Sequence, residues 1–345
     1  MKSVMIVASL LAQCAIASAQ SVEAFYKSHP ITLVVGYGPG GGYDVYARLM
    51  ARFLGHYIPG EPSVVVQNMP GAGSLRAANY VYVTAPKDGS TIGTFSRDMP
   101  LASILSANSN VQFDAREFTW LGSPSSYARD AYVLWTRKDA PIKKIEDAMG
   151  QGTTQLIVGA TGDGASGSDI TTLLSDVLKL RFKVISGYPD SGALYMAVDR
   201  HEIDARFSGF SSAQSSKAEW LKPDSPIHGL IQFGRATRHP LLPDVPTARE
   251  LAPDDNARLM IEFAELPYIL SRPFVAPPHI PADRARALQD GFMAATKDPD
   301  FLTESDKIGV EVSPVGAQDA LDMLTKLAHA PEDVKTSMRR LIQHD

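Results

Sequence analysis

Five glycines crowd the stretch Gly36-Tyr37-Gly38-Pro39-Gly40-Gly41-Gly42-Tyr43-Asp44, directly behind the apolar run Ile31–Val35. Glycines let a backbone approach a ligand closely, and the free N–H groups of a helix's first turn attract anions. Main-chain donors from Gly40, Gly41, Gly42 and Tyr43 therefore form a candidate cradle for a carboxylate that needs no basic side chain. The competing reading is a tight strand-to-helix turn without a ligand. Asp44 would repel a carboxylate placed against it. Its expected roles are to order the loop or a bound water, or to accept a hydrogen bond from a ligand hydroxyl. A second polar glycine loop, Thr161-Gly162-Asp163-Gly164-Ala165-Ser166-Gly167-Ser168, repeats the pattern. Ser168 or Asp169 there can equally be a plain helix N-cap.

Other chemistries find little support. Gly36-x-Gly38-x-x-Gly41 matches the dinucleotide spacing, but the second strand ends in Gln67-Asn68 where an acid should hold a ribose. Pro39 also stiffens that loop. His-Glu-x-x-His and Gly-x-Ser-x-Gly are missing. The eight histidines are scattered, and His201-Glu202 reads as a solvated turn. No carboxylate pair stands out, and Trp120, Trp135 and Trp220 read as core before ligand platform. The expectation is a binder with no catalytic residues, no cofactor and no metal.

The elements that must position these loops follow from periodicity. Ile31–Val35 reads as a strand and Asp44 to Tyr57 as a helix. Val64–Gln67 and Thr91–Phe95 read as further strands around a helix that Ser74 would cap through Thr84. This β-α-β-α-β order marks a parallel sheet, whose ligands sit at the carboxyl ends of strands. A second unit follows, with strands at Tyr132–Thr136, Leu156–Ala160, Phe182–Ser186, Ile203–Phe207 and Ile227–Gly234, and helices at Asp169–Leu180 and Ala193–Arg200. Pro240, Pro243 and Pro246 mark an irregular segment. Pro267–Val275 then returns to the first unit, with helices at Pro281–Thr296 and Ala317–Leu327. The first unit is thus discontinuous.

Lys2 is the only charge in the first 19 residues, and Ala17-Ser18-Ala19 is an A-x-A cleavage site after an apolar stretch. Residues 1–19 read as a secretory signal cut near Ala19, giving a periplasmic protein. The single cysteine, Cys14, lies inside that signal; a lipid anchor on it is the competing reading, disfavoured by Gln13. The remaining ~325 residues suggest two domains. A formal charge of −5 with scattered Lys and Arg argues against nucleic acid.

These residues resemble a known family. Pro39-Gly40-Gly41-Gly42-Tyr43-Asp44 with Ala47-Arg48, the loop Asn68 to Gly73, the turn Asp88-Gly89 and the run Pro243 to Thr247 together resemble the extracytoplasmic receptors of tripartite tricarboxylate transporters, the Bug-type binding proteins. The resemblance spans about Ile31 to Val315. It departs in the middle unit, where Asp169 occupies the place of a histidine and Gly187-Tyr188-Pro189-Asp190 replaces a proline-tyrosine-lysine-glycine run.

The resemblance implies an α/β, two-lobed periplasmic binding protein fold, type II-like, each lobe a mainly parallel sheet flanked by helices. Lobe 1 would take residues 20–132 and 267–345, and lobe 2 residues 133–266. A small organic acid would be caught between them and delivered to the membrane permease subunits by a monomeric receptor. Gly40, Gly41, Gly42, Tyr43 and Asp44 would hold one carboxylate. Thr161, Gly162, Ser166 and Ser168 would serve the opposing lobe, and Tyr188 would contact the ligand body. The rival readings are a periplasmic receptor for a signalling partner and an exported hydrolase or lyase using the same cleft.

Overall fold

The structure, a computed structural model, describes residues 20–105, 110–162 and 165–342. The expected signal segment, its cleavage site at Ala19 and Cys14 lie outside the described residues, as do Asp163 and Gly164 of the second glycine loop. Among the described residues, no helix is long and apolar enough to cross a membrane.

Among the described residues, eleven strands follow in chain order: β1 Ile31–Val35, β2 Val64–Asn68, β3 Thr91–Thr94, β4 Thr119–Ser123, β5 Tyr132–Arg137, β6 Leu156–Gly159, β7 Phe182–Ile185, β8 Ala205–Gly209, β9 Ile227–Phe233, β10 Phe274–Ala276 and β11 Val315–Gly316. They form two sheets, β11-β4-β10-β3-β1-β2 and β7-β6-β8-β5-β9. β1 buries Ile31, Leu33, Val34 and Val35, as a strand covered on both faces must. β2 alternates half-buried and exposed residues because it is the edge of its sheet.

The two-lobed α/β architecture is as expected, but both sheets are mixed. β1 pairs in parallel with β2 and β3, and β6 with β7 and β8. β10 runs antiparallel to β3 and β4, β11 to β4, and β5 to β8 and β9. The reason is the way the chain changes sheets. Parallel strands finish at the cleft, and a segment arriving from the other lobe must begin there. Tyr132, the first residue of β5, pairs with Gly209, the last of β8. Phe274, the first of β10, pairs with Thr94, the last of β3.

The helix expected through Thr84 is present from Leu75, but Ser74 does not cap it. Ser74 has a left-handed backbone, φ 81°, and its hydroxyl accepts from the Ser96 amide at 2.7 Å rather than capping the helix. A short α-helix, Leu75–Asn79, then widens into a π turn, Tyr80–Thr84.

One buried apolar cluster runs through both lobes, from Val34, Phe95 and Leu101 to Leu134, Leu156 and Leu173. The last helix, Glu332–Ile342, adds Val334, Met338 and Ile342 to it. It packs on the helix Ser166–Val177 of the second lobe and on Met99–Leu105 of the first, where Arg339 Nε donates to the Leu105 carbonyl at 2.7 Å.

Candidate functional site

Loops from both lobes enclose a narrow cavity of about 60 Å³ at the strand ends. That is room for a few waters or one small polar group. After β1, the glycine loop leads into the helix Gly42–Phe53, with Gly41 as an extended N-cap. Tyr46, Ala47, Leu49, Met50 and Phe53 form its buried face and fix its direction. Opposite, β6 leads through Ala160 and Thr161 into the helix Ser166–Val177. The first turns of two helices, one per lobe, thus face one space, and each favours negative charge there.

Of the ten residues expected to contact a ligand, Gly41, Gly42, Tyr43, Thr161 and Ser166 line this cavity. The other five are not among its lining residues. The amide of Gly40, at φ 85°, donates to Asp44 Oδ2 at 2.9 Å. Asp44 is buried and also accepts from Arg48 Nε at 2.9 Å and Asn68 Nδ2 at 2.8 Å. Burial opposes its ionisation, but these hydrogen bonds outweigh burial and leave the carboxyl below its usual range. Asp44 therefore orders the loop, and Asn68 ties it to the Tyr37 carbonyl at 2.8 Å. Gly162 abuts the first lobe, where a Cβ built on it would stand 3.3 Å from the Gly73 amide. Ser168 is buried one turn into its helix, and its amide donates to the Ala165 carbonyl at 2.9 Å. Tyr188 packs against the apolar cluster of the second lobe.

Sequence reasoning missed the strongest charges in the cleft. Arg97, Arg206 and Arg272 all line it and are only 3%, 3% and 2% exposed. Arg97 follows β3. Its Nε donates to the Ser271 carbonyl at 3.1 Å and its Nη1 to the Tyr127 hydroxyl at 2.8 Å. Its guanidinium sits among the rings of Tyr43, Tyr127, Tyr132 and Tyr268, 4.8 to 5.7 Å from their centres. Arg206, on β8, lies 4.1 Å from the Tyr195 ring centre and donates to the Ser191 carbonyl at 2.7 Å. Arg272 crosses the cleft, donating from Nη2 to Ser212 Oγ at 2.7 Å, while its buried Nε has no hydrogen-bond partner. Their bonds go to carbonyls and hydroxyls; among the described residues none of the three forms an ion pair with a carboxylate. Buried guanidinium groups with no carboxylate at ion-pair distance favour an anion in the space between them, since a partner offsets the cost of burial. The signal was available: Arg97 follows a strand's carboxyl end, and Arg206 interrupts a buried strand.

Gly42 makes this close approach possible. A Cβ there would stand 2.4 Å from Ser212 Oγ and 2.9 Å from Arg272 Nη2. Asp98 is buried beside Arg97, and Oδ2 has no hydrogen-bond partner. Burial pushes its carboxyl up to about 6 from 3.8, against the pull of Arg97 and of the Ser166 hydroxyl, and the charge of Asp169 adds to the rise. The fold therefore prefers the neutral acid. That stabilisation is complete below about pH 4 and is lost as pH rises through about 6. A rise of some two units corresponds to about 3 kcal/mol at most. Thermal melts should show stability falling across this window. Glu265 and Glu311, each pushed from 4.5 to about 7 by burial, add their own decline from about pH 4.5 to 7, so Asp98→Asn should make the slope below pH 6 shallower without removing it. An unchanged slope below pH 6 in Asp98→Asn would refute this reading.

Two α/β lobes with an arginine-lined cleft between them are an architecture this chain shares with solved periplasmic binding proteins. The chain is similar to UPF0065 and Bug proteins. A UPF0065 protein of Bordetella pertussis is 28% identical over 304 residues, 86% of this chain and 85% of its own length. BugT of the same bacterium is 35% identical over 112 residues, 32% of this chain and 33% of its own. The structure of Rpa4515 from R. palustris with adipate superposes with a TM-score of 0.68 at 20% identity, covering 90% of this chain and 97% of that one. No protein-family model matches the chain.

Proposed function

We propose that this protein is an extracytoplasmic receptor that captures a small organic acid between its lobes and delivers it, unchanged, to a tripartite tricarboxylate-type membrane permease. The observation that carries the reading is the trio of buried arginines, unpaired with carboxylates, set at two helix N-termini. A dicarboxylate suits this charge, and the neighbour Rpa4515 holds adipate. The first carboxylate would lie against Gly41, Gly42 and Tyr43 with Arg272, and the second toward Thr161, Ser166 and Arg206. The narrow cavity means that a ligand with a carbon body enters as the lobes part and is held as they close. Closure then presents a surface that the open form lacks, which a permease can recognise. Release must stay fast, so affinity in the micromolar range, roughly 8 kcal/mol, is expected.

The test is a thermal-shift screen of the chain from residue 20 onward against four- to six-carbon dicarboxylates, aromatic acids and their neutral amides, followed by calorimetry. Acids should raise the melting temperature and the amides should not. Stabilisation by amides alone, or conversion of a bound acid into product, would sink the proposal.

A further inference from the structure

Asp98 stands behind the cleft wall, where the two lobes meet. Two of its neighbours line the cleft, one from each lobe: Arg97 beside it in the chain, and Ser166 at the start of the helix Ser166–Val177. Asp98 itself is buried and is not among the lining residues, so it acts on a ligand only through such neighbours. Its Oδ2 has no hydrogen-bond partner, which leaves one carboxylate oxygen without local support for its charge.

The charged groups that face it pull in opposite directions. Arg97 favours the carboxylate form, and Asp169, on the helix of the opposing lobe, disfavours it. The phenols of Tyr37, Tyr132 and Tyr268 complete the surroundings, and burial holds all three above the ordinary tyrosine range, so they stay neutral near pH 7. Arg97 is therefore a charge with two claimants. In the free protein it supports the Asp98 carboxylate. A ligand carboxylate in the cleft brings a negative charge to the same guanidinium, cancels part of that support and repels Asp98 as well. Burial already holds the Asp98 carboxyl at about 6, so a further rise carries it across neutral pH.

On the reading that the cleft takes an organic acid, we propose that binding is linked to proton uptake at Asp98: the arriving carboxylate claims Arg97, and a proton from the solvent neutralises the acid behind it. Asp98 is thus a positioning residue, which leaves Arg97 to the ligand when it is neutral and competes for it when charged. The bound protein holds more protons than the free one, so affinity falls as pH rises.

The test uses the chain from residue 20 with succinate, glutarate and adipate as probes. Calorimetry at pH 7 in two buffers of different protonation heat counts the protons taken up. The parent should take up about half a proton or more per acid bound, and its affinity should weaken roughly fivefold or more from pH 6 to pH 8. Asp98→Asn, which keeps the shape and cannot ionise, should bind without that uptake and with a flatter pH profile. Protonation of the probe itself is common to parent and variant, so the difference between them reports Asp98. Binding by the parent with equal heats in both buffers would overturn the linkage and leave the receptor reading standing. Proton uptake that persists in Asp98→Asn would overturn the assignment to Asp98. Absence of binding by all three acids would remove the receptor reading for dicarboxylates, and this inference with it.

Discussion

Arg97→Met is expected to weaken organic-acid binding at least a hundredfold while leaving the fold intact. Arg97 is buried, carries no paired carboxylate and is held in place by the Ser271 carbonyl and the Tyr127 hydroxyl. Truncating a buried partner of a charged group costs about 2–5 kcal/mol of binding. The same burial makes the arginine a poor contributor to stability, since replacing a buried charge by an apolar side chain of similar volume is often neutral or stabilising. Affinity and stability should therefore move independently. Calorimetry with the acid that stabilises the parent most, beside a thermal melt without ligand, measures both. Arg97→Lys should fall between, because an ammonium supplies charge without the planar fork. Parent-like affinity in Arg97→Met would remove the arginine from the binding account.

Gly42→Val should be nearly as damaging, by a different route. The added carbons would occupy the space between Ser212 and Arg272, where even a single Cβ comes within 2.9 Å of the guanidinium and closer still to the hydroxyl. Ser212 belongs to the helix Phe210–Ser216 behind β8, and Arg272 to the segment entering β10, so the wedge acts between lobes. The expected result is a chain that folds, scatters X-rays with a larger radius of gyration than the parent, and shows no thermal shift with acid. A variant as compact and as responsive as the parent would show that the lobes need not meet at this point.

How far the sequence reveals this site depends on the reach of each interaction. The strand-loop-helix at Ile31 to Phe53 was legible because apolar runs and glycines act locally. The resemblance carried the two-lobed arrangement. β4 escaped notice because Thr119–Ser123 mixes Trp120 and Leu121 with small residues and becomes a strand only by pairing with β10. The antiparallel members of each sheet were hidden for the same reason. Five of the ten expected contact residues line the cleft because loop chemistry is local. The arginines were not found because Arg97, Arg206 and Arg272 come together from three distant stretches, and only their burial distinguishes them from surface cations. Asp44 lies between these cases: its bond to the Gly40 amide is local, whereas its partner Asn68 is 24 residues away.

The closing helix Glu332–Ile342 has a mechanical consequence. Receptors of two lobes swing on the strands that cross between them, and here there are two such crossings, after β4 and after β9. This helix adds a third tie, gripping Leu105 on one side and the helix Ser166–Val177 on the other. A jaw strapped at three points gapes through a shallower arc than one strapped at two. On the proposed reading, cargo would then slip in and out by a brief loosening of the bite, and any partner that reads closure would have to distinguish two shapes that differ little.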